Sequence, residues 1–198
     1  GAVLFRGQGQ TVEDVVKHAD LAMYAAKTAG RNSIRFFDPR MQAAVTARAT
    51  LENDLRTAVE QGQFTLHYQT QVGCGTRVVG AEALIRWNHP TRGRVNPAEF
   101  IPLAEETGLI IPIGEWVLRE ACRQASGWPG DVSVAVNVSP KQFAATSIAS
   151  TVLSALSASG LAPQRLELEI TESIFIADVD ATLTTLHSLR NLGVKIAL

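Results

Sequence analysis

Apolar residues recur at Val12, Val15, Val16, Ala19, Ala22, Met23 and Ala26, the spacing of one face of a helix. Thr11 in front of them, with Asp14 three residues on, reads as an N-cap, Lys27 falls in the last turn, and Gly30 follows as the C′ residue. Residues 34–37 read as a short strand, and Asp38-Pro39 as a turn. A second helix keeps the 3.6-residue period through Met41, Ala44, Val45, Arg48, Leu51, Leu55, Ala58 and Val59, and Gly62 ends it. From Phe64 the rhythm changes. Strand-like runs at 64–68, 78–87, 132–138, 166–170 and 194–198 alternate with helical stretches. Asn96-Pro97-Ala98-Glu99 gives one of these helices an N-cap, a proline at N1 and an acid at N3. Gly108 closes that helix, and Gly160 and Gly193 close two later ones. Strands alternating with helices predict an α/β fold with a parallel sheet or barrel.

Composition narrows the function classes. The 198 residues are 46% hydrophobic, enough apolar content to build the core of one or two domains. A net charge of -1, from 18 basic and 19 acidic residues, offers no basic surface for a DNA or RNA polymer. No apolar run approaches the roughly 20 residues of a membrane span, and residues 1–5 lack the charged start of a signal peptide. Cys74 and Cys122 have no Cys/His metal spacing around them and read as reduced thiols of a cytoplasmic protein. His18, His67, His89 and His187 form no H-E-x-x-H pair and read as surface or packing residues.

Alternation along the strands sorts their side chains into faces. At 166–170 the leucines and Ile170 share one face, and Glu167, Glu169 and Thr171 the other. At 132–139 the valines oppose Ser133, Ala135, Asn137 and Ser139. At 81–86, Glu82, Leu84 and Arg86 oppose Ala81, Ala83 and Ile85. In a barrel wrapped by helices, the polar faces turn inward and chemistry gathers at the carboxyl ends of the strands. Glu82, Asn137 and Glu169 would then converge as hard oxygen ligands suited to Mg²⁺ or Mn²⁺, with Arg86 placed for a phosphate oxygen. On spacing alone, the alternative reading is that these residues are solvated polar groups at loop ends. Trp87, Trp116 and Trp128 are expected in core packing rather than in base stacking, and Met23 and Tyr24 as packing residues of the first helix. Glu105 and Glu106 are expected at a solvated helix end, Glu115 and Glu120 facing water, and Glu167 in a lower layer of the barrel.

The local sequences then add a resemblance. Residues 79–87, VGAEALIRW, are similar to the signature that names the EAL family. Around them, in the family's order, stand residues 64–69, NPAEFIPLAEETG at 96–108, IGEWVLREAC at 113–122, VNVSP at 136–140 and LELEITES at 166–173. Upstream, ADLAMYAAKTAGRN at 19–32 resembles the last helix and closing turn of a GGDEF domain, whose inner strand would be residues 1–5. The resemblance implies residues 1–40 as the C-terminal part of a GGDEF-like domain and 41–61 as a rigid linker helix. Residues 62–198 would be the N-terminal half of a TIM-type (β/α)8 barrel. It implies hydrolysis of cyclic di-GMP to linear pGpG, with Mg²⁺ or Mn²⁺ as cofactor, two ions per complete site. Glu82, Asn137 and Glu169 match metal ligands, and Glu172 matches a catalytic-site residue acting through a neighbouring loop. Arg86 matches a phosphate contact, and Gln69 and Leu84 match positions lining the nucleotide pocket. A homodimer is implied as well.

Two departures stand out. Thr70 follows Gln69 where the family usually has proline. The chain also stops at residues 195–198, where the family continues into an Asp-Asp-Phe-Gly segment with further ligands and, later, a catalytic lysine. The expectation is therefore a phosphodiesterase parent, with no turnover by this chain alone. Two other readings are a degenerate EAL domain that senses cyclic di-GMP without cleaving it, and a dimerisation fragment pairing through the apolar edge at 194–198.

Overall fold

The computed structural model describes residues 1–5, 9, 11–73, 75, 77–145, 148–175 and 178–198. Cys74 lies outside the described residues. Two compact units divide the chain, Gly1–Asp54 and Leu55–Leu198.

The first unit holds α1 (Val12–Thr28) and most of α2 (Pro39–Gln61). A reciprocal capping box opens α1. The Thr11 hydroxyl accepts the Asp14 N–H at 3.1 Å, and the Asp14 carboxylate accepts the Thr11 N–H at 3.0 Å. The Thr11 hydroxyl also donates to that carboxylate, and this bond holds the Asp14 carboxyl below its ordinary value. The strand expected at 34–37 reduces to one isolated parallel bridge between Ala2 and Phe36. Among the described residues, no second strand flanks the bridge to lengthen it. Met23 and Tyr24 do not pack as expected. The buried stripe of α1 runs through Ala22 and Ala26, one turn apart, so the residues between them rotate away and are 40% and 48% exposed.

The second unit is α/β. Its strands are β1 (Phe64–Val72), β2 (Val78–His89), β3 (Gly93–Val95), β4 (Ser133–Val138), β5 (Leu166–Ile170) and β6 (Lys195–Ala197). Between them run α3 (Pro97–Thr107), α4 (Ile110–Ser126), α5 (Pro140–Ala145), α6 (Ile148–Ser159) and α7 (Val179–Asn191). The sheet order is β1-β2-β4-β5-β6, with β3 beside the end of β2. From β2 to β6 the main path is parallel, as predicted. The β1–β2 pair departs from that expectation and is antiparallel. The link across 73–77 is too short for the crossover that a parallel pair needs.

In β1, β2 and β5 burial follows the predicted alternation, whereas in β4 Ser133 and Ala135 are buried together with the valines and only Asn137 is exposed. Leu66 of β1, Ala81, Ala83 and Trp87 of β2, Val134, Val136 and Val138 of β4, and Leu166, Leu168 and Ile170 of β5 are buried. The helices cover this face, with α4 against β1, β2 and β4 and α6 packed on α4. Register places Thr65, His67 and Gln69 of β1 beside Arg86, Leu84 and Glu82 on the other face. The same face continues through Asn137, Glu169 and Ala197.

Arg165, just before β5, fastens the base of the sheet. Its Nε donates to the Val132 carbonyl at 3.0 Å, and Nη2 donates to the carbonyls of Ala125 at 2.8 Å and Trp128 at 3.3 Å. One guanidinium thus satisfies a carbonyl in the last turn of α4, one just beyond it, and the approach to β4, where a cation also meets the helix dipole favourably. Arg165→Ala is expected to cost about 2–3 kcal/mol of unfolding free energy, and lysine to restore only part because it lacks the planar fork. Urea denaturation with far-UV circular dichroism checks this, and a midpoint unchanged by alanine would contradict it.

Candidate active site

The carboxyl ends of β4 and β5 lie side by side and bring Asn137 and Glu169 to one face, and β2 adds Glu82 to that face from the stretch that pairs in parallel with β4. Ala83 of β2 pairs with Val136 of β4, which sets Glu82 one residue before that pair and Asn137 one residue after it. Asn137 in turn pairs directly with Glu169 of β5. The Asn137 Nδ2–H donates to Glu82 Oε1 at 2.8 Å across 55 residues of sequence. Donation through the amide nitrogen leaves Oδ1 as the oxygen able to ligate or accept. Burial raises the Glu169 carboxyl above its ordinary value, and the negative charges of Glu82 and then Glu167 push in the same direction. Like charges crowded at a half-buried strand end are what a bound cation relieves. Two carboxylates and an amide oxygen are the donors a hard divalent ion takes, so the residues present fit Mg²⁺ or Mn²⁺. Among the described residues, no group of three or more His, Cys, Asp or Glu side chains comes together as a metal centre. The candidate set reaches three donors only through the Asn137 amide.

The other predicted residues surround this group unevenly. Gln69 is exposed and lies opposite Glu82 in the β1–β2 register. Leu84 and Arg86 line a cavity of about 320 Å³ shared with Ile101, Glu105, Asn137 and Ser139. Arg86 Nη1 turns back to the carbonyl of its neighbour Ile85 at 2.9 Å. Glu172 opens a short 3-10 turn (Glu172–Phe175) after β5 and is exposed. The structure thus brings Glu82, Asn137 and Glu169 together, and Leu84 and Arg86 share a cavity with Asn137 alone of the three. The structure does not bring Glu172 into contact with them.

Three expectations change. Glu105 is not solvated: it is half-buried in the last turn of α3, and its Oε1 accepts the Ser139 hydroxyl proton at 2.7 Å. Glu120 does not simply face water. Arg123 donates to it twice, at 2.8 and 2.7 Å, Gln124 donates at 2.6 Å, and the Arg123 bonds hold its carboxyl below the ordinary value. Glu115 is half-buried and faces Arg119 at 3.9 Å. The tryptophans behave as expected: Trp87 is fully buried, and Trp116 and Trp128 are half-buried against Phe64 and Tyr68. Cys122 is buried and unpaired, its thiol pushed by burial up to about 11.

Sequence reasoning missed the support behind Asn137. Ser139 N–H donates to Gln142 Oε1 at 2.9 Å, and the Lys141 N–H donates to the Ser139 hydroxyl at 3.3 Å. The signal was present as Ser139-Pro140-Lys141-Gln142, which has the form of a capping box with proline at N1.

Comparison with known proteins gives a uniform result. Residues 52–198 match the EAL domain family. The bifunctional diguanylate cyclase/cyclic di-GMP phosphodiesterase MucR of Pseudomonas aeruginosa is 45% identical over 203 residues, covering 100% of this chain and 30% of MucR. Among solved structures, the PaMucR phosphodiesterase in complex with c-di-GMP superposes with a TM-score of 0.70 at 47% identity, covering 74% of this chain and 62% of that one. The EAL enzyme Bd1971 in its cGMP-bound form gives 0.72 at 26% identity, covering 96% and 50%. The chain spans 23%, 30% and 25% of the length of three curated relatives it matches.

Proposed function

The chain belongs to the EAL domain family, and we propose that the whole protein hydrolyses cyclic di-GMP to linear pGpG at a site that includes Glu82, Asn137 and Glu169. The observation that carries this reading is the convergence of these three residues on one face of adjacent parallel strands, with the Asn137–Glu82 bond at 2.8 Å. In the proposal they hold a divalent cation, Mg²⁺ or Mn²⁺, one of two in the complete site. Bound there, such ions supply the Lewis acidity that polarises a phosphodiester and activates water. The remaining residues bind and orient. Leu84 offers an apolar wall at the cavity, and Arg86 exchanges the Ile85 carbonyl for a phosphate oxygen. Gln69 adds an amide from the neighbouring strand, and Glu172 supports the site from its loop.

The relatives support this reading. MucR is named for cyclic di-GMP phosphodiesterase activity, and the solved PaMucR phosphodiesterase holds c-di-GMP. We read residues 62–198 as the N-terminal part of a (β/α)8 barrel, 41–61 as a linker helix, and 1–40 as the end of a GGDEF-like domain. Two facts favour the last assignment. MucR, also named as a diguanylate cyclase, aligns with the whole chain, whereas the EAL match begins at residue 52. Val12, Val16, Ile34 and Phe36 are exposed on the first unit, as on a piece of a larger core. Among the described residues, no helix is long and apolar enough to cross a membrane. The unpaired Cys122 suits a reducing compartment, so we place this part of the protein in the cytoplasm, with a homodimer as its working form.

The test is a turnover assay on the whole protein with cyclic di-GMP and Mn²⁺, with pGpG separated by chromatography. Turnover is expected in the parent, and Glu82→Gln should remove it. Tight binding without turnover would replace the enzyme by the sensor reading. Neither binding nor turnover would overturn both.

A further inference from the structure

Asn137 is the last but one residue of β4, and two residues beyond it the chain is anchored unusually firmly. Ser139 engages two other elements there. Its hydroxyl donates to Glu105 of α3 at 2.7 Å and accepts the Lys141 N–H of α5 at 3.3 Å. Its own N–H donates to Gln142 Oε1 at 2.9 Å, and its carbonyl accepts the N–H groups of Gln142 at 3.0 Å and Phe143 at 3.2 Å.

Gln142 is only 5% exposed, and it is locked in place by α4. It lies over Gly114, where any Cβ would collide with the Gln142 amide. The glycine there is required by close approach, not by backbone conformation. A buried amide with both an acceptor role and a tight steric seat has one available position. Ser139 is therefore fixed from α3 by the Glu105 carboxylate and from α5 by Gln142, with α4 behind.

We infer that Ser139 is a positioning residue, held between Glu105 and Gln142 so that the end of β4 presents the Asn137 amide beside Glu82. This rests on the proposed metal-dependent reading of the site. The physical ground is that fixing the backbone just past the strand end fixes where the Asn137 side chain, two residues earlier, is presented, and a ligand that wanders binds its ion poorly. Ser139 itself is not among the proposed ligands.

The experiment is a Mn²⁺ titration of the whole protein without nucleotide, following the free-ion signal by electron paramagnetic resonance. Ser139→Ala is expected to weaken Mn²⁺ binding about tenfold, the lower end of the range for supporting partners. Ser139→Thr keeps the hydroxyl and should stay within about threefold on the same scale. Glu105→Ala leaves the α5 cap intact and should still weaken binding, which separates positioning from loss of the cap. Asn96→Ala removes the α3 N-cap, whose side chain accepts the Ala98 N–H at 3.0 Å, and is the control for general destabilisation. It should leave the affinity unchanged. Parent-like affinity in Ser139→Ala and Glu105→Ala, or an equal loss in Asn96→Ala, overturns the inference alone. Absence in the parent of a Mn²⁺ site that Glu82→Gln removes overturns the metal reading, and the inference with it.

Discussion

In the whole protein, Glu169→Gln is expected to abolish cyclic di-GMP hydrolysis while making the metal-free fold slightly harder to melt. The first effect follows from the proposed ligand set. Losing a charged ligand forfeits several kcal/mol of transition-state stabilisation, and about 4 kcal/mol is about a thousandfold in rate. The second follows from the sign of the Glu169 shift. Burial first, then Glu82 and Glu167, raise its carboxyl above the ordinary value. A carboxyl raised in the folded state favours folding while protonated. That contribution is complete below its unfolded value of about 4.3 and is lost as the pH climbs through the folded value. At pH 7 in chelator, the ionised parent therefore carries a penalty that the neutral glutamine lacks, and the variant should melt about 1–3 °C higher. Near pH 4 the difference should vanish. Scanning calorimetry at the two pH values together with the turnover assay tests both halves. Parental turnover in the variant, or a lower melting temperature at pH 7, would contradict this account of Glu169.

The largest stability effect is expected at Trp87, on the helix-covered face of the sheet. It is fully buried, with Phe100 edge-on at 5.6 Å and Phe64 tilted at 6.2 Å. Its Nε1–H donates to Gln63 Oε1 at 3.1 Å, so the one polar atom of the indole is satisfied. Trp87→Ala empties this aromatic cluster and strands the Gln63 acceptor, at a cost of about 3–5 kcal/mol. Trp87→Phe should recover more than half of that loss, because most of the burial is apolar. Guanidinium denaturation of the three proteins gives the comparison. A loss under about 1 kcal/mol for alanine would mean that the cluster closes up around the gap.

How much could be read from the sequence depended on whether a residue's role was local. Asn96, Pro97 and Gly108 mark the ends of α3 because caps are set by a residue and its near neighbours, and those ends were legible. The strand faces were legible for the same reason, since alternation needs no partner, and it placed Glu82, Asn137 and Glu169 on one side. The second half of β1 was not. Gln69, Thr70 and Gln71 are polar in succession, and only the antiparallel pairing with β2 makes them a strand. Glu105 looked like a solvated acid because its partner, Ser139, is 34 residues away. Gly114 carried no turn signal, and its reason is the Gln142 side chain from another helix. The back-turned guanidinium of Arg86 is a rotamer choice, which no pattern of residue types encodes.

The antiparallel start of the sheet has a consequence for synthesis on the ribosome. The β1–β2 hairpin closes across a short link, so it can form within microseconds of emerging. Glu82 is then presented on a finished two-stranded ribbon while its hydrogen-bond partner Asn137 is still untranslated, 55 residues behind. At synthesis rates of 5–20 residues per second, that interval is roughly 3–10 s. During it, the parallel edge of β2 is an open template, and the nascent chain depends on β4 arriving before a neighbouring polypeptide does.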